Sequence, residues 1–126
     1  LEQAKNRLNE QTHIQCIQGD VGNLEMNDET FDIVLSMNGF HAFPDKKKAF
    51  QETWRVLKPG GTFIGCFYIK DKSKRTDWLV NHILSKKGWL TPPFQTENEL
   101  KDILKKMYKQ MDIHIDGSMV YFCCIK

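Results

Sequence analysis

The apolar positions of this chain fall into continuous runs and into stripes with helical spacing. The run at 31–38, Phe-Asp-Ile-Val-Leu-Ser-Met-Asn, has the unbroken apolar middle that a strand covered on both faces needs, so we predict a central parallel strand. The run at 62–69 is rich in β-branched and aromatic residues and predicts the next parallel strand. The last runs, 111–115 and 119–125, flank Asp-Gly-Ser at 116–118, which predicts an antiparallel hairpin.

Amphipathic stripes predict helices between these runs. The predicted helices cover residues 1–11, 46–57, 73–87 and 96–110, and a short strand is predicted at 13–18. The second helix follows a capping residue, Asp45, and its apolar stripe is Ala49, Phe50, Thr53, Trp54 and Leu57. Thr96 and Glu99 have the spacing of a capping box at the start of the last helix.

Alternation of helices and strands predicts an α/β fold with right-handed crossovers, helices on both faces of the sheet and a closing antiparallel hairpin. Residues 70–95 resemble an insert in this order and mix lysines with aromatic residues. That mixture occurs in nucleic-acid sites, but a helix with its tryptophans packed inward and its lysines outward is the favoured interpretation.

The length and composition of the chain are typical of one small globular domain. The 126 residues are 40% hydrophobic and 27% charged, and the formal net charge is +2. A charge this small argues against nucleic-acid and membrane partners, and the lysine run at 46–48 is interpreted as a solvated helix start. The four cysteines lack the paired spacing of metal ligands, so we expect reduced core residues and no metal site.

Without a signal peptide or a long apolar run, the expected location is the cytoplasm. The chain begins at Leu1 and not at Met, and we expect a truncated piece of a longer protein.

Two spaced motifs carry a resemblance to a known family. Phe-Asp-Ile-Val at 31–34 and Arg-Val-Leu-Lys-Pro-Gly-Gly at 55–61, preceded by Gly19-Asp20, resemble the class I S-adenosylmethionine-dependent methyltransferases of the small-molecule type. The resemblance covers most of the chain. It implies a Rossmann-like, mostly parallel sheet, S-adenosylmethionine as cofactor and a small-molecule methyl acceptor.

The resemblance also implies cofactor-binding positions. Asp20 corresponds to the family's acceptor for the adenine amino group, and Val21 to the neighbouring backbone amide. A carboxylate beside an amide donor matches the edge of adenine. Ser36, Met37 and Asn38 correspond to the strand end that contacts the methionine part. From the residues alone, a turn-capping carboxylate is the preferred role of Asp20, and Met37 is equally a packing residue.

Three positions are candidates for the acceptor side. Asn38 and His41 follow the strand end, and His41 is the one candidate catalytic residue, with a structural hydrogen bond as its alternative role. Trp89, in the 70–95 insert, is a candidate acceptor contact, with core packing as its alternative. Because the sulfonium of the cofactor is already activated, positioning is the main requirement and no dedicated nucleophile is needed.

The resemblance departs at the front of the chain. The family's first two strands and its glycine-rich loop, which receives the carboxypropyl end of the cofactor, have no counterpart, so we expect no strong cofactor binding by this chain alone. In the family those strands separate the ones expected at 13–18 and 31–35. We expect direct pairing of the two, docking of the edge on a second copy, or segment exchange between copies.

Two further functions stay open beside methyl transfer. One is a non-catalytic fragment or interaction module that keeps the fold. The other is a nicotinamide-dependent oxidoreductase, which the hairpin at 116–118 and the Pro-Gly-Gly turn disfavour.

Overall fold

The computed structural model describes residues 2–8 and 13–126. Its elements in chain order are α1 (Glu2–Leu8), β1 (Phe31–Met37), α2 (Lys46–Val56), β2 (Leu57–Tyr68), α3 (Lys74–Leu79), a π-helical turn (Val80–Leu84), α4 (Glu97–Met107), β3 (Gln110–Asp116) and β4 (Met119–Ile125). Of the predicted helix at 1–11, residues 2–8 form α1, and residues 1 and 9–11 lie outside the described residues.

The four strands form one open sheet in the order β1-β2-β4-β3. β1 and β2 are parallel, and β4 pairs antiparallel with both β2 and β3. The α/β class and the closing hairpin are confirmed, and Gly117 supplies the positive φ of 57° that the hairpin turn uses. The sheet is mixed, because the described residues join an antiparallel hairpin to a single parallel pair.

The strand predicted at 13–18 is wrong. Residues 14–19 have no regular secondary structure, and Ile14 and Ile17 are exposed. The apolar positions there do not alternate, so one face of a strand could not be buried while the other stayed polar. Direct pairing of this segment with β1 is therefore also wrong, whereas docking on a second copy stays a prediction.

β1 is an edge strand and not the central strand that its apolar run predicts. Among the described residues it pairs only with β2. Val34 packs against the core, while Ile33, Leu35 and Met37 on the opposite face are 61 to 62% exposed. The continuous apolar pattern describes burial on both faces, but the described residues cover β1 on one face only.

An aromatic core lies between the sheet and helices α2 and α4. Phe40, Phe50, Phe63 and Phe67 are each at most 1% exposed, and Phe122 packs edge to face on Phe63 with a centroid distance of 5.0 Å. A smaller cluster at the end of β2 joins Tyr68, Val80, Leu90 and Phe94.

The ends of α2 and α4 follow the predicted capping signals. The Asp45 carboxylate accepts the Lys48 amide at 3.0 Å, and Thr96 and Glu99 form both hydrogen bonds of the capping box. At the other end of α2, the buried Lys126 ammonium donates to the Trp54 and Leu57 carbonyls. Trp54 is 39% exposed, so it lies at the margin of the predicted stripe.

The tryptophans of the insert are not packed inward. The predicted helix at 73–87 consists of α3 and the π-helical turn, in which Val80 is buried while Trp78 is 57% exposed. Trp78 stacks on His82 with a centroid distance of 5.0 Å. The interpretation of these tryptophans as core residues is therefore wrong, because Val80 fills the contact with the sheet in their place.

Gly65 has no room for a side chain, since its Cβ would overlap the ring of Phe122 on the neighbouring strand. We expect Gly65→Ala to lower the free energy of unfolding by about 1–3 kcal/mol, because the buried ring cannot move aside. Urea denaturation measures this. The cost should shrink when Phe122 is replaced by leucine, and an equal cost in both backgrounds would contradict the proposed clash.

Candidate functional site

The carboxyl ends of β1 and β2 lie at the same edge of the sheet, because the two strands are parallel. Residues 38–45, which we call the rim loop, lead from β1 into α2 along this edge. The loop begins at Asn38, whose positive φ of 56° is a conformation that asparagine tolerates. The Asn38 amide donates to the Cys66 carbonyl at 2.8 Å and so fixes the start of the loop to β2.

A tight turn at 20–23 carries the two residues predicted at adenine. Asp20 Oδ1 accepts the Gly22 amide at 2.8 Å, and the Asn23 amide donates to the Asp20 carbonyl at 3.0 Å. Asp20 therefore has the turn-capping role that the sequence left open, while its side chain is exposed to solvent. Val21 is half-buried and packs against the aromatic core.

Arg55 holds the segment that follows this turn. Its guanidinium donates to both carboxylate oxygens of Glu52 at 2.8 Å, to Asp28 at 2.7 Å and to the carbonyls of Leu24 and Met26 at 3.0 and 2.8 Å. Glu52 in turn accepts the Leu24 amide at 2.7 Å. Hydrogen bonding to Arg55 lowers the pKa of Glu52, so the pair stays ionised.

The other predicted cofactor residues lie at the end of β1. Ser36 is half-buried on the helix side, and Met37 is exposed on the opposite face, with its sulfur 3.8 Å from Cys66 Sγ. The two side chains therefore cannot face the same ligand. Gly39 follows in close contact, since a Cβ there would lie 2.9 Å from Ser36 Oγ and 2.7 Å from the Phe43 ring.

The turn and the strand end approach the same part of the fold. Val21 and Phe43 both pack against the aromatic core, and a Cβ on Gly22 would lie 3.4 Å from the Cβ of Lys48 in the first turn of α2. Ser36 borders the same Phe43 ring through Gly39. The end of β1 therefore borders the rim loop at Gly39 and Phe43, and the turn borders the first turn of α2 that follows the loop.

His41 lies in the rim loop, and its ring contacts β2. Nδ1 accepts the Tyr68 amide at 3.1 Å, which gives the imidazole a structural hydrogen bond. Burial, and then the positive charge of Lys46, lower the pKa of His41 below 6.5. The neutral ring consequently carries its proton on Nε2. As a catalytic group, which stays a prediction, it would donate through Nε2 and not act as a base through Nδ1.

Lys46 is a residue that sequence reasoning missed. It was interpreted as part of a solvated lysine run, but it is 8% exposed and its ammonium donates to the Phe43 carbonyl at 3.1 Å. That interpretation is wrong for Lys46, because the residue shares one face of α2 with Ala49, Phe50 and Thr53, and this spacing was the signal available. Burial lowers the pKa of its ammonium.

Trp89 lies outside the core, 62% exposed, with the Lys87 ammonium 5.1 Å from its ring centroid. Core packing, its alternative role, is therefore wrong. Two residues further along, the Thr91 amide donates to the His41 carbonyl at 2.8 Å. Trp89 is thus close in sequence to a contact with the rim loop, and its contact with an acceptor stays a prediction.

Comparison with known proteins assigns this arrangement to a family. A family model described as "Methyltransferase domain" matches residues 1–65 of the 126. The chain belongs to the methyltransferase domain family. Its resemblance to the class I S-adenosylmethionine-dependent enzymes is thereby confirmed, and the Asp20 turn, β1 and the rim loop all lie in the matched part.

Named relatives agree with this family. The domain is 37% identical over 67 residues to the phthiotriol/phenolphthiotriol dimycocerosates methyltransferase of Mycobacterium tuberculosis. The aligned region covers 50% of this chain and 25% of that protein. The domain is also 39% identical over 64 residues to the demethylmenaquinone methyltransferase of Staphylococcus epidermidis, and this aligned region covers 51% of this chain and 27% of that protein. The matched part is thus about a quarter of the length of these relatives.

A solved structure shows the same fold. An S-adenosylmethionine-dependent methyltransferase from Thermotoga maritima superposes with a TM-score of 0.72 at 20% identity, over 87% of this chain and 63% of that one. The Rossmann-like class is therefore confirmed by shape as well as by sequence.

The residues at the rim fit one side of the family's cofactor. The exposed Asp20 carboxylate stands next to the Val21 amide, so an acceptor and a donor are adjacent, as the edge of adenine requires. A cavity of about 340 Å³ beside this turn is lined by Ile17, Gly19, Val21, Leu24 and Met26, among others. Within 2–8 and 13–126, no cluster of three metal-ligating side chains and no helix able to cross a membrane is found.

The hydrogen bonds of Arg55 predict that substitution of this residue loosens the 24–28 segment. We expect Arg55→Lys to speed hydrogen exchange at the Leu24 amide, because an ammonium cannot reproduce the planar set of donors. Arg75→Lys, on α3, is the matched control and should leave this exchange unchanged. Equal exchange rates in wild type and Arg55→Lys would show that the guanidinium does not hold the segment.

The lowered pKa of His41 predicts that the stability of the domain depends on pH. Its pKa is lowered in the folded state, so the unfolded chain binds more protons, and stability should fall as the pH drops below about 6.5. His41→Asn retains an acceptor for the Tyr68 amide but cannot be protonated. We expect this variant to lose less stability than wild type between about pH 7 and about pH 5, as measured by urea denaturation. Parallel losses in the two proteins would contradict the assignment.

Proposed function

We propose that this domain is part of an enzyme that transfers a methyl group from S-adenosylmethionine to a small-molecule acceptor. The observation that carries the proposal is the placement of the end of β1 beside the rim loop and of the Asp20 turn beside the first turn of α2, within the part of the chain that matches the methyltransferase family. Ligands of open α/β sheets bind beyond the carboxyl ends of the strands, which is where this edge lies.

The residues of the chain would bind and orient, since the bound cofactor supplies an activated methyl group. In this proposal the Asp20 carboxylate accepts from the adenine amino group and the Val21 amide donates to the ring. The backbone of Ser36, Met37 and Asn38 contacts the methionine part at the end of β1. Positioning of this kind contributes to catalysis without a nucleophile from the protein.

The acceptor would approach over the rim loop and the 70–95 insert, near Asn38, His41 and Trp89. A cavity of about 620 Å³ lies between the end of the rim loop, the start of α2, the 93–95 segment and α4, and is lined in part by Pro44, Phe94 and Ile103; Asn38, His41 and Trp89 do not line it. Its volume is in the range of small-molecule sites, and charged side chains such as Lys70 and Asp102 line it beside the apolar ones. The relatives are named for methyl transfer to phthiotriol or phenolphthiotriol dimycocerosates and to demethylmenaquinone.

A second candidate is a non-catalytic module that keeps the fold without binding the cofactor. It is favoured by the exposed outer face of β1, where Leu35 is 61% exposed and no further strand is present among the described residues. In the family, additional strands and a glycine-rich loop complete the pocket on this side.

Calorimetry with S-adenosylhomocysteine distinguishes the two candidates. We expect binding by a longer version that carries the upstream sequence of the gene, and weak or no binding by residues 1–126 alone. In the longer version Asp20→Asn should lower the affinity about tenfold, because the adenine amino group then donates to a neutral and not to a charged acceptor.

Asp112→Asn, on the exposed face of β3, is the control and should bind S-adenosylhomocysteine as wild type does. Absence of binding by both lengths of the protein would favour the non-catalytic module. Unchanged affinity of Asp20→Asn would remove Asp20 from the cofactor site.

A further inference from the structure

Thr91 makes three hydrogen bonds to one short stretch of the rim loop and the start of α2. Its amide donates to the His41 carbonyl at 2.8 Å, and its hydroxyl donates to the Ala42 carbonyl at 2.9 Å. Its own carbonyl accepts the Lys46 ammonium at 2.5 Å. The amide, the carbonyl and the hydroxyl of Thr91 are thus all hydrogen-bonded to the 41–46 segment.

Lys46, at the start of α2, links the rim loop to Thr91 through its ammonium. Its ammonium bridges the Phe43 and Thr91 carbonyls and lies 5.8 Å from the centroid of the Phe94 ring. A buried ammonium is costly unless carbonyls or carboxylates accept its protons. The position of Lys46 therefore depends on the rim loop and the insert staying together.

The same loop is also attached to the sheet. His41 Nδ1 accepts the Tyr68 amide from the end of β2, so His41 is held by its ring on one side and by its carbonyl, through Thr91, on the other. A loop fixed at one point can pivot, whereas attachment at two separate points defines its orientation. The contacts of Thr91 and Lys46 thus decide where the His41 ring lies.

We propose that Thr91 and Lys46 are positioning residues, which we call the latch, and that they hold the rim loop and the His41 ring against the end of β2. The proposal rests on the proposed function in one respect, namely that the rim loop faces the methyl acceptor. Nothing in the sequence motifs indicates this role, because Thr91 lies in the insert and Lys46 in a run of lysines.

The test uses residues 1–126 and two matched variants. Thr91→Val removes the hydroxyl with little change of shape, and Thr91→Ser restores it. We expect exchange of the Tyr68 amide to be about 2-fold to about 10-fold faster in Thr91→Val than in wild type, as loss of one hydrogen bond predicts. Nuclear magnetic resonance of the His41 ring nitrogens should show its pKa moving up toward 6.5 in Thr91→Val and returning in Thr91→Ser.

Lys46→Met provides an independent variant if Thr91→Val does not fold, and faster Tyr68 exchange is expected there as well. The Lys109 amide, which donates to Ile125 in the β3–β4 pair, reports on the whole fold and should not change. Unchanged Tyr68 exchange in both variants, or an equal increase at Lys109, would overturn the latch. These measurements need no cofactor, so failure of S-adenosylhomocysteine binding would refute the proposed function and leave the latch standing.

Discussion

The interaction between Arg55 and Glu52 fixes the part of this domain that has no regular secondary structure. Between residue 14 and β1 no strand forms, and the 24–28 segment is attached to α2 through one guanidinium and one carboxylate. Their paired geometry matters more than their charge, because the Arg55 side chain is 29% exposed and solvent screens the attraction. The Asp20 turn owes its place to this attachment and to the packing of Val21.

The two faces of the sheet differ in what they contact. On the helix side, Gly65 leaves space for Phe122, which packs between Phe63 and Phe67 with centroid distances of 5.0 and 5.9 Å. On the other side, the register aligns Leu35 of β1 with Ile64 of β2, and both side chains are exposed. The apolar pattern of β1 predicts burial of both faces of the strand, but the described residues bury only one. The outer face of β1 is therefore an exposed apolar surface.

Sequence reasoning succeeded where a signal is local. The capping box at Thr96 and the hairpin turn at Gly117 are each encoded within a few residues, and the structure has both. Of the predicted stripe of α2, Ala49, Phe50 and Thr53 are buried, whereas Trp54 is exposed and Leu57 lies in β2. The strand at 13–18 and the central place of β1 failed because strands need partners that a single segment cannot specify. Burial of Lys46 was missed because its acceptor, the Thr91 carbonyl, is 45 residues away.

The two sides of the proposed site are held by interactions of different kinds. The Asp20 side depends on a partly exposed ion pair, which salt weakens. The His41 side depends on hydrogen bonds around the buried Lys46, which salt affects much less. Since the Arg55 contacts and the latch share no residue, a change at one need not alter the other. The Asp20 side and the His41 side can therefore vary independently while the sheet between them stays the same.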